Sequence, residues 1–308
     1  MGGAGAEALP LRPLTVGEVL DAATNLLRRY AVPLLSSSLV LATLEQLLLY
    51  PLRRAAGVVP PWYYPPDRFG AYWLLLAAGL GTEGIILTLL GGLAARAALA
   101  DLLGRAPGRL LSGAARPGAL LALAVLIGLA SFLGAAGGLL PWLLWYLLTT
   151  LAAPALLIDR WTLPGRPGIP PPGASAPPGP FAPLGPFAAI GRSIGLVSRS
   201  GWRPGRIRLL GYLAWLVIRL ALGAGTWSLV TAILGNYYPQ YGEAIPGWAW
   251  PAAMATWTLV NTVAYAALGC LDAVLHLETR MRVEGLDLAL SRALRTDRPT
   301  ESALAVPR

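Results

Sequence analysis

Long apolar blocks alternate along this chain with short segments rich in arginine, proline or glycine. A helical block of about 20 apolar residues matches the thickness of a bilayer's hydrocarbon core. The first such block runs over 31–52 and the second over 71–95, with a helical continuation toward 103 that carries Arg96 and Asp101. The apolar stretch 118–158 is too long to cross once. As one helix it would measure about 60 Å, twice a core of about 30 Å. Gly134, Gly137, Gly138 and Pro141 mark where it turns, so it predicts two helices. Gly134 and Gly138 also form a G-x-x-x-G pair that would permit close helix contact, though the turn itself explains them as well. The fifth block is 207–234, and the sixth starts near Trp250 and passes into a charged run.

A different periodicity appears at three places. Thr15 and Glu18 fit a capping box that opens a helix. Val16, Val19, Leu20, Ala23, Leu27 and Tyr30 then recur every three or four residues, with Glu18, Asp21, Asn25, Arg28 and Arg29 opposite. Residues 187–199 place Phe187, Ile190, Ile194 and Val197 on one face and Arg192 and Arg199 on the other. Residues 279–295 form a third amphipathic, basic segment. Such helices are expected to lie along a membrane surface.

The segments between are loops. The run from Arg53 to Gly70 holds four prolines, which forbid a regular helix there. Its Trp62, Tyr63, Tyr64 and Phe69 suit a water–lipid boundary, as does the aromatic rim of 236–248. Residues 104–117 read as a short basic loop, and 159–186 as a Pro/Gly-rich linker without periodicity. The expected organisation is an amphipathic helix in 1–30, helices one to four in 31–158, the linker 159–186, and a second amphipathic helix in 187–206. Helices five and six follow in 207–278, then a basic helix and disordered tail in 279–308.

Arginine placement orients this arrangement. With both termini inside, the inner segments hold 20 of the 24 cations, the outer loops hold Arg53, Arg54 and Arg68, and Arg219 lies within an apolar block. That asymmetry obeys the positive-inside rule. The fold class is therefore an all-α integral membrane protein of six transmembrane helices with cytoplasmic-face amphipathic helices and both termini cytoplasmic.

Composition supports the same solvent. Charged residues are 13% of the chain, against about 25% in soluble domains. The net charge of +9 comes wholly from arginine, with no lysine. These arginines flank apolar blocks, so no nucleic-acid partner is inferred. The single cysteine, Cys270, allows no intrachain disulfide and reads as a small buried apolar residue. The N-terminal residues lack the pattern of a cleavable signal peptide or a myristoylation site.

Three segments, LTVGEVLDAATNLLRRY, APALLIDR followed by FAAIGRSIGLVSRSGWRPGRIRLLGYL, and LDAVLHLETRMRVEGLDL, occur in this order. Together they resemble a bacterial six-span family labelled the membrane domain of glycerophosphoryl diester phosphodiesterases. The resemblance covers nearly the whole chain and implies a multi-pass protein of the bacterial cytoplasmic membrane. The phosphodiesterase barrel to which that unit is fused elsewhere uses paired histidines and metal-binding carboxylates. This chain has one histidine, His276, so that activity is not expected to carry over.

Few residues suggest chemistry. Gly191-Arg192-Ser193-Ile194-Gly195 matches the G-x-S-x-G of a nucleophile elbow, but lacks the strand that must precede it and a neighbouring base. Asp272, His276 and Glu278 cluster where the sixth helix should leave the membrane. A metal site usually needs three or four ligands from more than one element, so they read instead as interfacial hydrogen bonds and helix-end charges. Glu83, Arg219 and Asn261 fall mid-block, with Glu45 nearer the outer side. A charge at that depth costs about 2.5–3.5 kcal/mol on insertion scales, which favours a Glu83–Arg219 pair. Two functions compete. One is a non-enzymatic scaffold or accessory subunit whose basic inner helices bind anionic lipid, a membrane-protein partner or a second copy, with no cofactor. The other is a small transporter or channel using Glu83, Arg219 and Asn261, which requires a cavity reaching Arg219.

Overall fold

The structure, a computed structural model, describes residues 12–58, 69–102, 116–162, 181–234, 246–295 and 304–306. The aromatic loop residues Trp62, Tyr63 and Tyr64, most of 104–117, the middle of the proline-rich linker, most of the 236–248 loop and most of the tail lie outside them. Ten helices are described: α1 (Val16–Arg29), α2 (Ala31–Ala56), α3 (Phe69–Leu102), α4 (Pro117–Ala136), α5 (Leu139–Leu148), α6 (Ala152–Ile158), α7 (Pro186–Arg199), α8 (Arg203–Leu234), α9 (Ala249–Glu284) and α10 (Leu286–Arg295). Six helical elements are long and apolar enough to cross a membrane: α2, α3, α4, the α5–α6 pair, α8 and α9. Many outward-facing side chains are large and apolar, including Val32, Leu140, Val217 and Ile233, each more than 60% exposed. Such a surface suits lipid rather than water.

α9 is the central helix. It packs against α1, α2, α3 and α8, and touches α6 and α7. Helices that are apolar all round become core, and from Ala264 to Met281 nearly every α9 side chain is buried. Small residues let the neighbours close in. A Cβ on Gly269 would lie 3.0 Å from Leu90 of α3, and one on Gly128 of α4 would lie 2.3 Å from Ile85.

The expected turn inside 118–158 falls at Gly137 and Gly138, where Gly138 adopts φ +135°. Gly134 has a second role, since a Cβ there would meet the Trp142 backbone at 3.0 Å. The fourth long element also breaks at 149–151, between α5 and α6. Pro154 gives the reason: it has no N–H for the Thr150 carbonyl, and its ring crowds that carbonyl.

Four sequence expectations change. The sixth helix runs to Glu284 and stops at Gly285, which takes φ +63°, so the basic segment expected over 279–295 is split between the end of α9 and α10. On α7 the buried face is Ala189, Arg192, Ser193, Leu196 and Val197, so Val197 is buried as expected while Phe187 is exposed. Arg192 is turned inward because buried acids await it there. The apolar face of α1 (Val19, Ala23, Leu26) is buried in protein, largely against α9. Finally, the linker and tail are not structureless throughout. β1 (Arg160–Thr162) pairs antiparallel with β2 (Phe181–Pro183) and parallel with β3 (Ala305–Val306).

Candidate functional site

Polar side chains on four helices meet in the middle of the bundle. Arg219 of α8 donates from Nη1 to Glu83 Oε1 of α3 at 3.0 Å, and the Tyr212 hydroxyl donates to Glu83 Oε2 at 3.2 Å. These bonds bridge α3 and α8. The Arg219 guanidinium also lies over the rings of Tyr212 and Tyr265, at 5.4 and 5.7 Å from their centroids. Both charged groups are more than nine-tenths buried.

Glu45 does not share Arg219. Its carboxylate accepts from the Tyr265 hydroxyl at 2.9 Å, Thr82 Oγ1 at 3.1 Å, Asn261 Nδ2 at 3.3 Å and Gln46 Nε2 at 3.3 Å. Asn261 therefore joins Glu45 rather than the Glu83–Arg219 pair. Every one of these donors is uncharged. Arg53 reaches the edge of the set through Gln46 Oε1 at 2.5 Å. Sequence reading assigned Arg53 to an outer loop, but α2 continues through it to Ala56 and buries it.

These groups line a cavity of about 280 Å³. Leu75, Leu76 and Leu80 of α3 and Leu216 and Leu220 of α8 supply its apolar walls, with Trp257 of α9. Three buried polar atoms on lining residues have no hydrogen-bond partner among the described residues: Arg219 Nε, Trp257 Nε1 and Asn261 Oδ1. Two are donors and one is an acceptor. Buried polar groups are seldom left unmatched, because each costs about 1–3 kcal/mol.

A second set closes the opposite half of the bundle. Arg208 of α8 is paired with Asp272 of α9 and donates to the Tyr146 hydroxyl at 2.6 Å. Thr150, in the break between α5 and α6, donates to Asp272 at 2.9 Å. Ser193, the serine of the G-x-S-x-G match, is spent on the same break. Its hydroxyl donates to the Leu148 carbonyl at 2.6 Å and accepts from the Leu151 N–H at 3.1 Å.

Beyond that lies an acid hub. Asp159, just past α6, accepts Arg192 Nε at 2.8 Å and Arg280 Nη1 at 2.9 Å, and contacts His276 Nε2 at 2.9 Å. Arg192 also binds Glu284 through both terminal nitrogens, and Arg280 Nε reaches Glu284 at 3.0 Å. Glu278 faces Arg282 at 2.8 Å and Arg203 at 3.5 Å. Burial by itself would raise the Asp159 carboxyl, but His276, Arg280 and Arg192 outweigh it and hold the group well below the usual carboxylate range. Asp272, His276 and Glu278 are thus each buried on a different partner. No group of three potential metal ligands occurs among the described residues.

Tyr265, Tyr212, Tyr146, Gln46, Arg208 and Asp159 were not singled out from sequence. Helical spacing carried a signal for several of them. Tyr265 follows Asn261 by one turn, and Arg208, Tyr212 and Arg219 fall on one face of α8. No family model matches the chain, and no curated protein or solved structure matches it.

Proposed function

We propose that this chain is a multi-pass membrane protein that binds a small polar group in its mid-bundle cavity and passes it across the membrane as a transporter. The observation that carries this reading is a cavity lined by Glu45, Glu83, Arg219 and Asn261 in which buried polar atoms remain unmatched. A purely structural ion pair would be expected in a dry, closed core. The broken α5–α6 element adds support, because interrupted helices are where transporters place gates and binding groups. With both termini cytoplasmic, as the arginine asymmetry indicates, the cavity lies in the outer half, near Arg53 and Tyr72. The Arg208–Asp272 pair and the Asp159 hub then seal the inner half.

The scaffold reading has less support. Its adhesive inner shelf drew on arginines such as Arg192, Arg203, Arg280 and Arg282, and these are engaged with carboxylates inside the fold. Kinship with the six-span phosphodiesterase membrane domain rests on the three sequence segments quoted above.

The test is whether the cavity is wet. Gly79 lines it, and a Cβ there would meet only Leu49 Cδ1, at 3.9 Å. A Gly79→Cys variant in a Cys270→Ala background is therefore expected to fold and to react with a charged, membrane-impermeant thiol reagent in sealed proteoliposomes. A thiol that stays unreactive in folded protein means a dry core and sinks the transport reading.

A further inference from the structure

The unmatched atoms of the cavity call for opposite chemistry. Among the described residues, Arg219 Nε and Trp257 Nε1 are buried donors without acceptors. Both residues line the cavity, and Gly223, one helical turn after Arg219, packs so near the Trp257 ring that a Cβ would lie 3.2 Å from it. Asn261 Oδ1, one helical turn along α9 from Trp257, is a buried acceptor without a donor among the same residues. Beside it, the Glu45 carboxylate is held, among the described residues, by neutral donors. Glu83 already has its cation in Arg219, whereas among the described residues no cation is bonded to Glu45, and the nearby Arg53 is bonded to Gln46 instead. An anion buried without a cation is costly. An incoming ammonium would satisfy both Glu45 and the Asn261 carbonyl, and an incoming oxyanion would satisfy Arg219 Nε and the Trp257 indole.

We infer that the cavity takes a zwitterion, a compact group carrying an ammonium and an oxyanion a few bonds apart. The inference rests on the cavity being the binding site proposed above. Volume agrees: about 280 Å³ is room for roughly nine waters at about 30 Å³ each, or one small amphoteric molecule. Two sources share this chemistry. One is a free amino acid. The other is the amino-bearing headgroup of a phospholipid entering sideways between α3 and α8, where the cavity wall residue Leu220 is 43% exposed on the outer surface of the bundle.

The Gly79→Cys, Cys270→Ala protein provides the readout, as the rate of thiol labelling. In phosphatidylglycerol nanodiscs, γ-aminobutyrate at about ten times its dissociation constant should slow labelling about tenfold by mass action. Butyrate and butylammonium, which each carry one half of the charge pattern, should protect far less at the same concentration. Adding Trp257→Phe should weaken protection by γ-aminobutyrate about tenfold, the usual cost of losing one hydrogen bond to a charged group. Adding Glu45→Gln should remove the advantage of γ-aminobutyrate over butyrate. Slow labelling in phosphatidylethanolamine nanodiscs without any additive supports the lipid source, and protection by free γ-aminobutyrate in phosphatidylglycerol supports the soluble one. If butyrate or butylammonium protects as well as γ-aminobutyrate, or if neither the free zwitterion nor phosphatidylethanolamine protects, the zwitterion inference is overturned while the cavity reading stands. A thiol that never labels overturns the cavity reading itself.

Discussion

Glu83 and Arg219 are tolerable inside an apolar bundle because each cancels the other. Removing one partner strands a buried charge, at about 3–5 kcal/mol. Glu83→Leu and Arg219→Leu should each destabilise the protein by that amount in denaturant titrations in detergent. The double variant should lose less than either single one. Its residual cost, about 1–3 kcal/mol, would come from the Tyr212 hydroxyl that loses its acceptor. A double variant as unstable as the sum of the singles would mean that the pair is not coupled. At this scale the sequence was partly legible. Sign and depth pointed Glu83 to Arg219, because an unpaired charge in an apolar block is expensive wherever it sits. Glu45 was not legible in the same way. Its partners are tyrosine, threonine, asparagine and glutamine, and such residues look unremarkable in a sequence until the helices bring them together.

Helices carry a second kind of information, in their interruptions. Gly137 and Gly138 announced the turn between α4 and α5, because only glycine adopts the φ of +135° found at Gly138 without strain. Pro154 announced the break between α5 and α6 equally, but the apolar length of 118–158 was fully accounted for by one turn, so the second interruption drew no attention. What closes that break comes from a distant element. Ser193 on α7 bonds both the Leu148 carbonyl and the Leu151 N–H. Ser193→Ala leaves two backbone groups unmatched and should cost about 1–3 kcal/mol. Ser198→Ala, on the exposed side of the same helix, should stay within about 0.5 kcal/mol. Equal midpoints for the two variants in thermal unfolding would remove Ser193 from this role. The amphipathic segments misled in one respect. An apolar stripe shows that a face is buried, but not whether lipid or protein buries it, and for α1 the cover is largely α9.

Across the whole molecule, most of the buried ion pairs close one end of the bundle. Asp159 ties the end of α6 to α7 through Arg192 and to α9 through Arg280 and His276. Glu284 then links Arg192 back to Arg280. Such a hub leaves a pH signature whose sign is fixed. The Asp159 carboxyl is held below its ordinary value in the folded protein, so the unfolded chain binds its proton more readily. Its contribution to stability is therefore fully present above the unfolded value of about 4 and is lost as pH falls below it. The thermal midpoint of the purified protein in detergent should be flat from neutral pH down to about 5 and fall below about 4. Asp159→Asn should lower the midpoint at neutral pH, since it removes one of the two carboxylates that Arg192 and Arg280 share, the more deeply buried one. It should also make the fall at low pH shallower, because the group that titrates is gone. Other carboxylates still titrate in both proteins, so the comparison is between slopes. Parallel slopes would mean that Asp159 does not anchor this end of the bundle. The closed end would then be held by Glu284 and Glu278 with their arginines, and by Arg208 and Asp272 in the layer nearest the cavity.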